Sequence, residues 1–364
     1  MLYFDHRGMG LSTPISAATI VNQAGQSAAD QASYLKHFRA DSAVKDLEAI
    51  RKCLTANSAL ELKKWSVMGQ SYGGFVAISY VSRYPEGLKE VFTTGGLPPV
   101  TVKGPEEVYE RLVEKVQERN SVYFKKFPED GDKVRRILDY LITNESTNGG
   151  IALSGGGKLT ADRFMQMGIS FGFHGGLDAV HDIVLAAAND LELFGLLTRP
   201  TLSKIAAQGT FDENPLYAVL HEPIYCQGGI SPSWAAERAV GKAPHFETRS
   251  SSKLVYFTGE MVFKHNFDEY PELSQLAPAA MLLADMTDWP ELYDIDQLKR
   301  NDVPVYSSTY VDDMYVDFDY AQETAALIKG CKTFVTNMLY HDAPRSRSEE
   351  LMKALFALKE DSID

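Results

Sequence analysis

Cysteine is scarce in this chain: Cys53, Cys226 and Cys331 are the only three in 364 residues, widely spaced and odd in number. No CxxC and no Cys/His pair at ligand spacing occurs, which argues against a disulfide framework or structural zinc. The thiols read as reduced and mostly buried, as in a reducing, cytoplasmic compartment. Basic charge is also short. With 36 Lys and Arg against 49 Asp and Glu, the net charge is -13. That balance repels phosphate backbones and anionic lipid, so neither nucleic acid nor a membrane is an expected partner. Long hydrophobic runs are missing too. No stretch approaches the roughly 18 apolar residues of a membrane span, and MLYFDHRGMG lacks the basic start and apolar core of a signal peptide.

What is present is an ordinary globular composition, 45% apolar, long enough for a catalytic domain with a sizeable insertion. Short apolar runs fall into two blocks. Leu2–Asp5, Trp65–Gly69 and Leu88–Thr94 form the first, Val303–Tyr310 and Thr333–Leu339 the second. Helical patterns separate most of them, as expected of parallel strands in an α/β sheet. In 41–54, Val44, Leu47, Ile50 and Leu54 share a helical face, and Asp41 is placed to cap it. From about Pro99 to Asn301 the texture is helix after helix. Lys253–Phe263 fits either a strand or a buried helix by periodicity. The expected architecture is therefore a core of residues 1–99 and 302–364 carrying the parallel sheet, interrupted by a mostly helical cap over 100–301.

The pattern G-x-S-x-G occurs twice. Around Ser71 it follows the strand WSVMG and opens the helix GGFVAISYVSRYP, the setting in which a serine is held on a strained turn above a sheet. Around Ser170 no strand precedes it, which makes Ser71 the nucleophile. A serine needs a base, and in this arrangement the acid and then the histidine follow it in the chain. Of the eight histidines only His341 lies beyond the second strand block. Asp312 and Asp313 follow the preceding strand, and Asp313 is the preferred acid. The Tyr72 backbone N–H is the expected oxyanion donor.

His174, Asp178 and His181 fit a polar helix face better than a metal site. Asp312, Asp313, Asp317 and Asp319 lack the glycine and terminal glutamate of a calcium loop. Neither a metal nor a cofactor is expected.

Asp5-His6-Arg7-Gly8-Met9-Gly10-Leu11-Ser12 resembles the D-x-R-G-x-G-x-S turn of prolyl aminopeptidases (proline iminopeptidases), which have the α/β-hydrolase fold. The segment Gly69–Gly74 is similar to their nucleophile elbow. His221–Cys226, Thr258–Met261, Asp312–Val316 and His341-Asp342 resemble segments of the longer-capped members. The resemblance implies release of N-terminal proline from short peptides, with Asp313 as the catalytic acid. It also implies Glu222, with Glu260 as second candidate, as the carboxylate that binds the substrate amine. Tyr225 and Phe263 are candidate walls for the proline ring, though core packing is the simpler role for either. Two family features are not found: an H-G-G-P-G loop ahead of the D-x-R-G turn, and the three strands that precede LYFD. On this reading the core is N-terminally truncated: either Met1 is not the natural start, or the sheet closes up by moving Leu2–Asp5 toward Trp65–Gly69. Loss of an oxyanion donor costs about 100- to 1000-fold in rate. The alternatives are an esterase or amidase on the same fold, and a catalytically impaired form with a binding role.

Overall fold

The computed structural model describes residues 2–59, 62–209 and 211–361. Six strands occur among them: β1 (Trp65–Gln70), β2 (Leu88–Thr94), β3 (Ile151–Ala152), β4 (Lys158–Leu159), β5 (Val305–Tyr310) and β6 (Cys331–Thr336). β1, β2, β5 and β6 form one parallel sheet in the order β1-β2-β5-β6, and β3 and β4 make a separate antiparallel pair. Four of the five expected strands are thus present. The fifth is corrected: Leu2–Asp5 forms no strand, and Leu2 and Tyr3 are 57% and 88% exposed. Among the described residues β1 pairs with β2 alone and is an edge strand, with Met68 exposed. Three apolar residues and an aspartate are too few to impose pairing, and they run directly into a tight turn. In that turn the Leu11 N–H donates to Asp5 Oδ2 at 3.0 Å, and Gly8 and Gly10 take positive φ. A methyl on Gly10 would stand 2.4 Å from the Asp5 carboxylate, which explains the glycine.

The chain divides into two compact units. The sheet-bearing unit comprises Lys36–Val108, Pro223–Ser231 and Met286–Asp364. On one sheet face Val91 and Val305 pack with Val76, Ile78, Tyr80 and Val81 of the helix Tyr72–Arg83 and with Ala40, Ala43 and Val44 of the helix Ala40–Leu54. On the other, Phe92 and Tyr310 meet Leu351 and Leu355 of the helix Ser348–Glu360. Helices on both faces explain why the interior strands read as continuous apolar or small-residue runs. The helix Ala40–Leu54 buries a different face from the one its apolar spacing suggests. Val44 is fully buried, but Leu54 is 64% exposed while Glu48 and Arg51 are inside. Arg51 donates Nε and Nη2 to the two Glu48 carboxylate oxygens at 2.8 and 2.6 Å, and the Tyr80 hydroxyl donates to Glu48 at 2.8 Å. The forked pair satisfies both charges and holds the Glu48 carboxyl down at about 2.

The helical unit comprises Met1–Leu35, Tyr109–Glu222 and Pro232–Asp285. Its grouping departs from the expected boundaries because residues before Lys36 group with helices. Ala32 and Leu35 are buried where the helix Ala28–Leu35 lies against the helix Pro271–Asp285, and the Ala17 N–H donates to Glu272 at 2.8 Å. Conversely, Leu292, Tyr293 and Leu298 belong to the sheet's core. The run Lys253–Phe263 is neither strand nor helix.

Candidate active site

In a parallel sheet the loops after each strand gather at one edge. Ser71 directly follows β1, Gly95 follows β2, Asp313 lies three residues past β5 and His341 five past β6. Ser71 sits at φ 53°, ψ -125°, a backbone state costly for a side chain with a Cβ, at the start of the helix Tyr72–Arg83. Small neighbours permit this turn. A Cβ on Gly69 would lie 2.1 Å from the Gly73 carbonyl oxygen, and one on Gly74 2.3 Å from that of Gly96. The Ser71 N–H donates to the Thr94 carbonyl at 3.0 Å, tying the turn to the end of β2.

His341 Nδ1 bonds Asp313 Oδ2 at 2.8 Å, with His341 and Asp313 5% and 2% exposed. The other carboxylate oxygen of Asp313 accepts the N–H groups of Tyr315 and Val316 at 2.9 and 3.0 Å. The carboxylate is therefore fixed at both ends, and the Tyr315 ring lies 4.4 Å from the imidazole. Asp313, not Asp312, is the residue brought to the histidine. Two links join this pair to the serine turn. Gln70 Nε2 donates to the His341 carbonyl at 3.1 Å. A methyl on Gly95 would stand 3.1 Å from His341 Nδ1 and 3.3 Å from Asp313, while one on the next residue, Gly96, would stand 2.6 Å from the Ser71 carbonyl oxygen. Sequence reading passed over Gln70 and Gly95; the signal was the x of G-x-S-x-G and the Gly-Gly closing β2.

Glu222 and Glu260 lie in the helical unit. Glu222 is 5% exposed, and its Oε1 accepts the Ala236 N–H at 2.9 Å at the start of the helix Ala235–Gly241. Burial pushes its carboxyl up to about 7. Glu260 Oε1 accepts the Tyr217 hydroxyl at 2.6 Å, and the Glu260 carbonyl bonds His221 Nε2 at 3.1 Å.

The proline iminopeptidase aneH of Aspergillus aculeatus is 45% identical over 364 residues, covering 100% of this chain and 79% of its own length. A proline iminopeptidase of Aeromonas sobria is 37% identical, over 99% of this chain and 80% of its own. The chain belongs to the proline iminopeptidase family. It is a hydrolase with the α/β-hydrolase fold, whose family matches residues 2–169. A solved bromoperoxidase from Bacillus anthracis matches with a TM-score of 0.38 at 14% identity, covering 98% of this chain and 80% of that one, a likeness too distant to add to this.

The remaining sequence candidates of this iminopeptidase-family hydrolase have partners of their own. Ser170 sits in a 3-10 turn of the helical unit, with its hydroxyl on Gln208 at 3.2 Å. Asp178 pairs with Lys126 at 2.7 Å, and His181 pairs with Asp130 at 2.8 Å while stacking on Phe127. Glu129, Asp130 and His181 have ligand atoms close enough for a metal, but the Lys133 ammonium already lies 3.0 Å from Asp130 and 3.6 Å from Glu129. Tyr225 packs edge-on against Phe75, and Phe263 stacks on His265. Among the described residues no helix is long and apolar enough to cross a membrane.

Proposed function

We propose that this hydrolase releases N-terminal proline from short peptides through an acyl-enzyme on Ser71. The reading is carried by the Asp313–His341 bond, tethered by Gln70, the residue before Ser71. With Nδ1 donating to Asp313, the tautomer makes Nε2 the base towards Ser71 Oγ. Oγ attacks the prolyl carbonyl carbon as its proton passes to Nε2, and the Tyr72 N–H, at the positive end of a helix, stabilises the oxyanion. Collapse breaks the C–N bond, and the imidazolium returns the proton to the leaving amine. Water, deprotonated by the same nitrogen, then frees proline and restores Ser71. Glu222 and Glu260 hold the substrate's secondary ammonium. A cation drawn from water needs an opposing charge, and binding it favours the ionised form of Glu222.

The test is hydrolysis of a proline anilide and its N-acetyl analogue by the wild type and by Ser71→Ala. Cleavage is expected for the free amine alone, falling by roughly 10⁴-fold or more in Ser71→Ala. Equal cleavage of both substrates would make the protein a general amidase or esterase. Undiminished activity in Ser71→Ala would remove Ser71 as nucleophile.

A further inference from the structure

Glu260 lies in a run with no regular secondary structure, where a carboxylate has no helix or ladder to fix it. Tyr256 and Thr258 donate their N–H groups to the His245 and Met165 carbonyls at 2.8 and 3.0 Å, and side chains add further bonds. Asn120 accepts the Phe257 N–H and donates to the Phe257 carbonyl, both at 2.8 Å, as a neighbouring strand would. Gln166 Nε2 donates to the Met261 carbonyl at 3.3 Å, and Asn266 Oδ1 accepts the Phe263 N–H at 2.9 Å. Those bonds pin the backbone on either side. Glu260 itself is gripped twice, and both grips come from the short segment that ends in Glu222.

Tyr217 donates its hydroxyl to the Glu260 carboxylate at 2.6 Å, a charge-assisted bond that occupies one of about four lone-pair directions. His221 reaches the Glu260 carbonyl at 3.1 Å; a carbonyl only accepts, so Nε2 carries the hydrogen. The His221 ring is buried and lies edge-on to Tyr217 at 5.0 Å, which limits its rotation. His221 is peptide-bonded to Glu222. One segment, Tyr217–Glu222, therefore supplies one candidate carboxylate and holds the other by side chain and by backbone.

We infer that Tyr217 and His221 are positioning residues that set Glu260 at a fixed place relative to Glu222, so that the two carboxylates receive the two N–H groups of a secondary ammonium. This rests on the proposed reading of Glu222 and Glu260 as the amine site. Both act through Glu260, so their removal weakens amine binding without disabling Ser71.

The experiment compares Tyr217→Phe, His221→Leu and His221→Gln with the wild type on proline p-nitroanilide and on p-nitrophenyl acetate, a neutral ester with no amine. Pyrrolidine serves as a competitive inhibitor that reports the amine site directly. Tyr217→Phe and His221→Leu should each raise KM for the anilide and Ki for pyrrolidine by about tenfold or more, with ester turnover within about twofold of wild type. His221→Gln keeps an N–H near the position of Nε2 and should restore both constants to within about threefold. Should His221→Leu fail to fold, Tyr217→Phe, which removes one oxygen, carries the comparison. Unshifted KM and Ki, or parallel losses on anilide and ester, would overturn the inference while leaving the proposed function standing. Wild-type cleavage of the N-acetylated anilide at the rate of the free amine would remove both.

Discussion

Glu222 shows what one buried carboxylate costs and what it offers. Burial raises its folded-state pKa from about 4.5 to about 7. A group whose pKa is raised on folding contributes stability below its unfolded pKa, and that contribution is lost as pH rises through the folded value. Glu222→Gln keeps an oxygen for the Ala236 N–H and removes the charge. It should be more stable than wild type at pH 8 by up to about 3 kcal/mol and similar at pH 4, read from denaturant unfolding at both pH values. Equal effects at the two pH values would refute this. The same titration governs the ligand: KM for a proline anilide should rise as pH falls below about 7, while KM for a neutral ester stays flat. Gly95 is the other residue whose role is legible only in three dimensions. It has φ +51°, and a methyl there would stand 2.9 Å from Tyr310 and 3.1 Å from His341 Nδ1. Gly95→Ala should cost roughly 100-fold in kcat through displacement of the imidazole, with little change in pyrrolidine inhibition. Inhibition weakened as much as turnover would indicate general damage instead.

At the scale of elements, the four sheet strands were readable because each is a short apolar run set between helical patterns. Leu2–Asp5 looked the same and is not a strand, since a run of that length pairs only when a neighbour claims it. The helix Ala40–Leu54 was placed correctly but turned differently. Glu48 and Arg51 satisfy each other inside the unit, so residue type misjudged which face is buried. Lys253–Phe263 could not be assigned by period because its partners include the side chains of Asn120 and Gln166 and the Met165 carbonyl, all remote in sequence. That gives a direct test. Asn120 is fully buried, and Asn120→Ala leaves the N–H and carbonyl of Phe257 without their partner. A destabilisation of about 2–4 kcal/mol is expected by denaturant titration. A loss under 1 kcal/mol would mean that Phe257 finds other partners.

For the whole molecule, a net charge of -13 sets the field that a substrate meets before any contact. A peptide with a cationic N-terminus is drawn towards such a surface, and salt screens the attraction over about 10 Å at 0.1 M. kcat/KM for a proline anilide should therefore fall as ionic strength rises from about 0.01 to 0.5 M, whereas that for a neutral ester should not. Parallel salt curves for the two substrates would exclude long-range attraction as a contributor. The two units also divide the labour proposed here. The triad candidates lie in the sheet-bearing unit, whose helices cover both sheet faces, and the amine-site candidates lie in the helical unit.

By itself the sequence determined the α/β class, Ser71 as the serine on a strand-to-helix turn, and the short range of residues that could supply its acid and base. Those follow from local pattern, since period, glycine spacing and chain order are properties of neighbouring residues. Only the tertiary structure decided that Asp313 and not Asp312 meets His341, that residues before Lys36 pack with helices, and that Gln70 holds the His341 carbonyl while Gly95 leaves room for its imidazole. It also decided that Tyr217 and His221 grip Glu260. Each of these is a pairing between residues far apart in sequence or a choice between adjacent rotations. Such choices are made by packing and hydrogen-bond satisfaction in the folded interior, and no period along the chain records them.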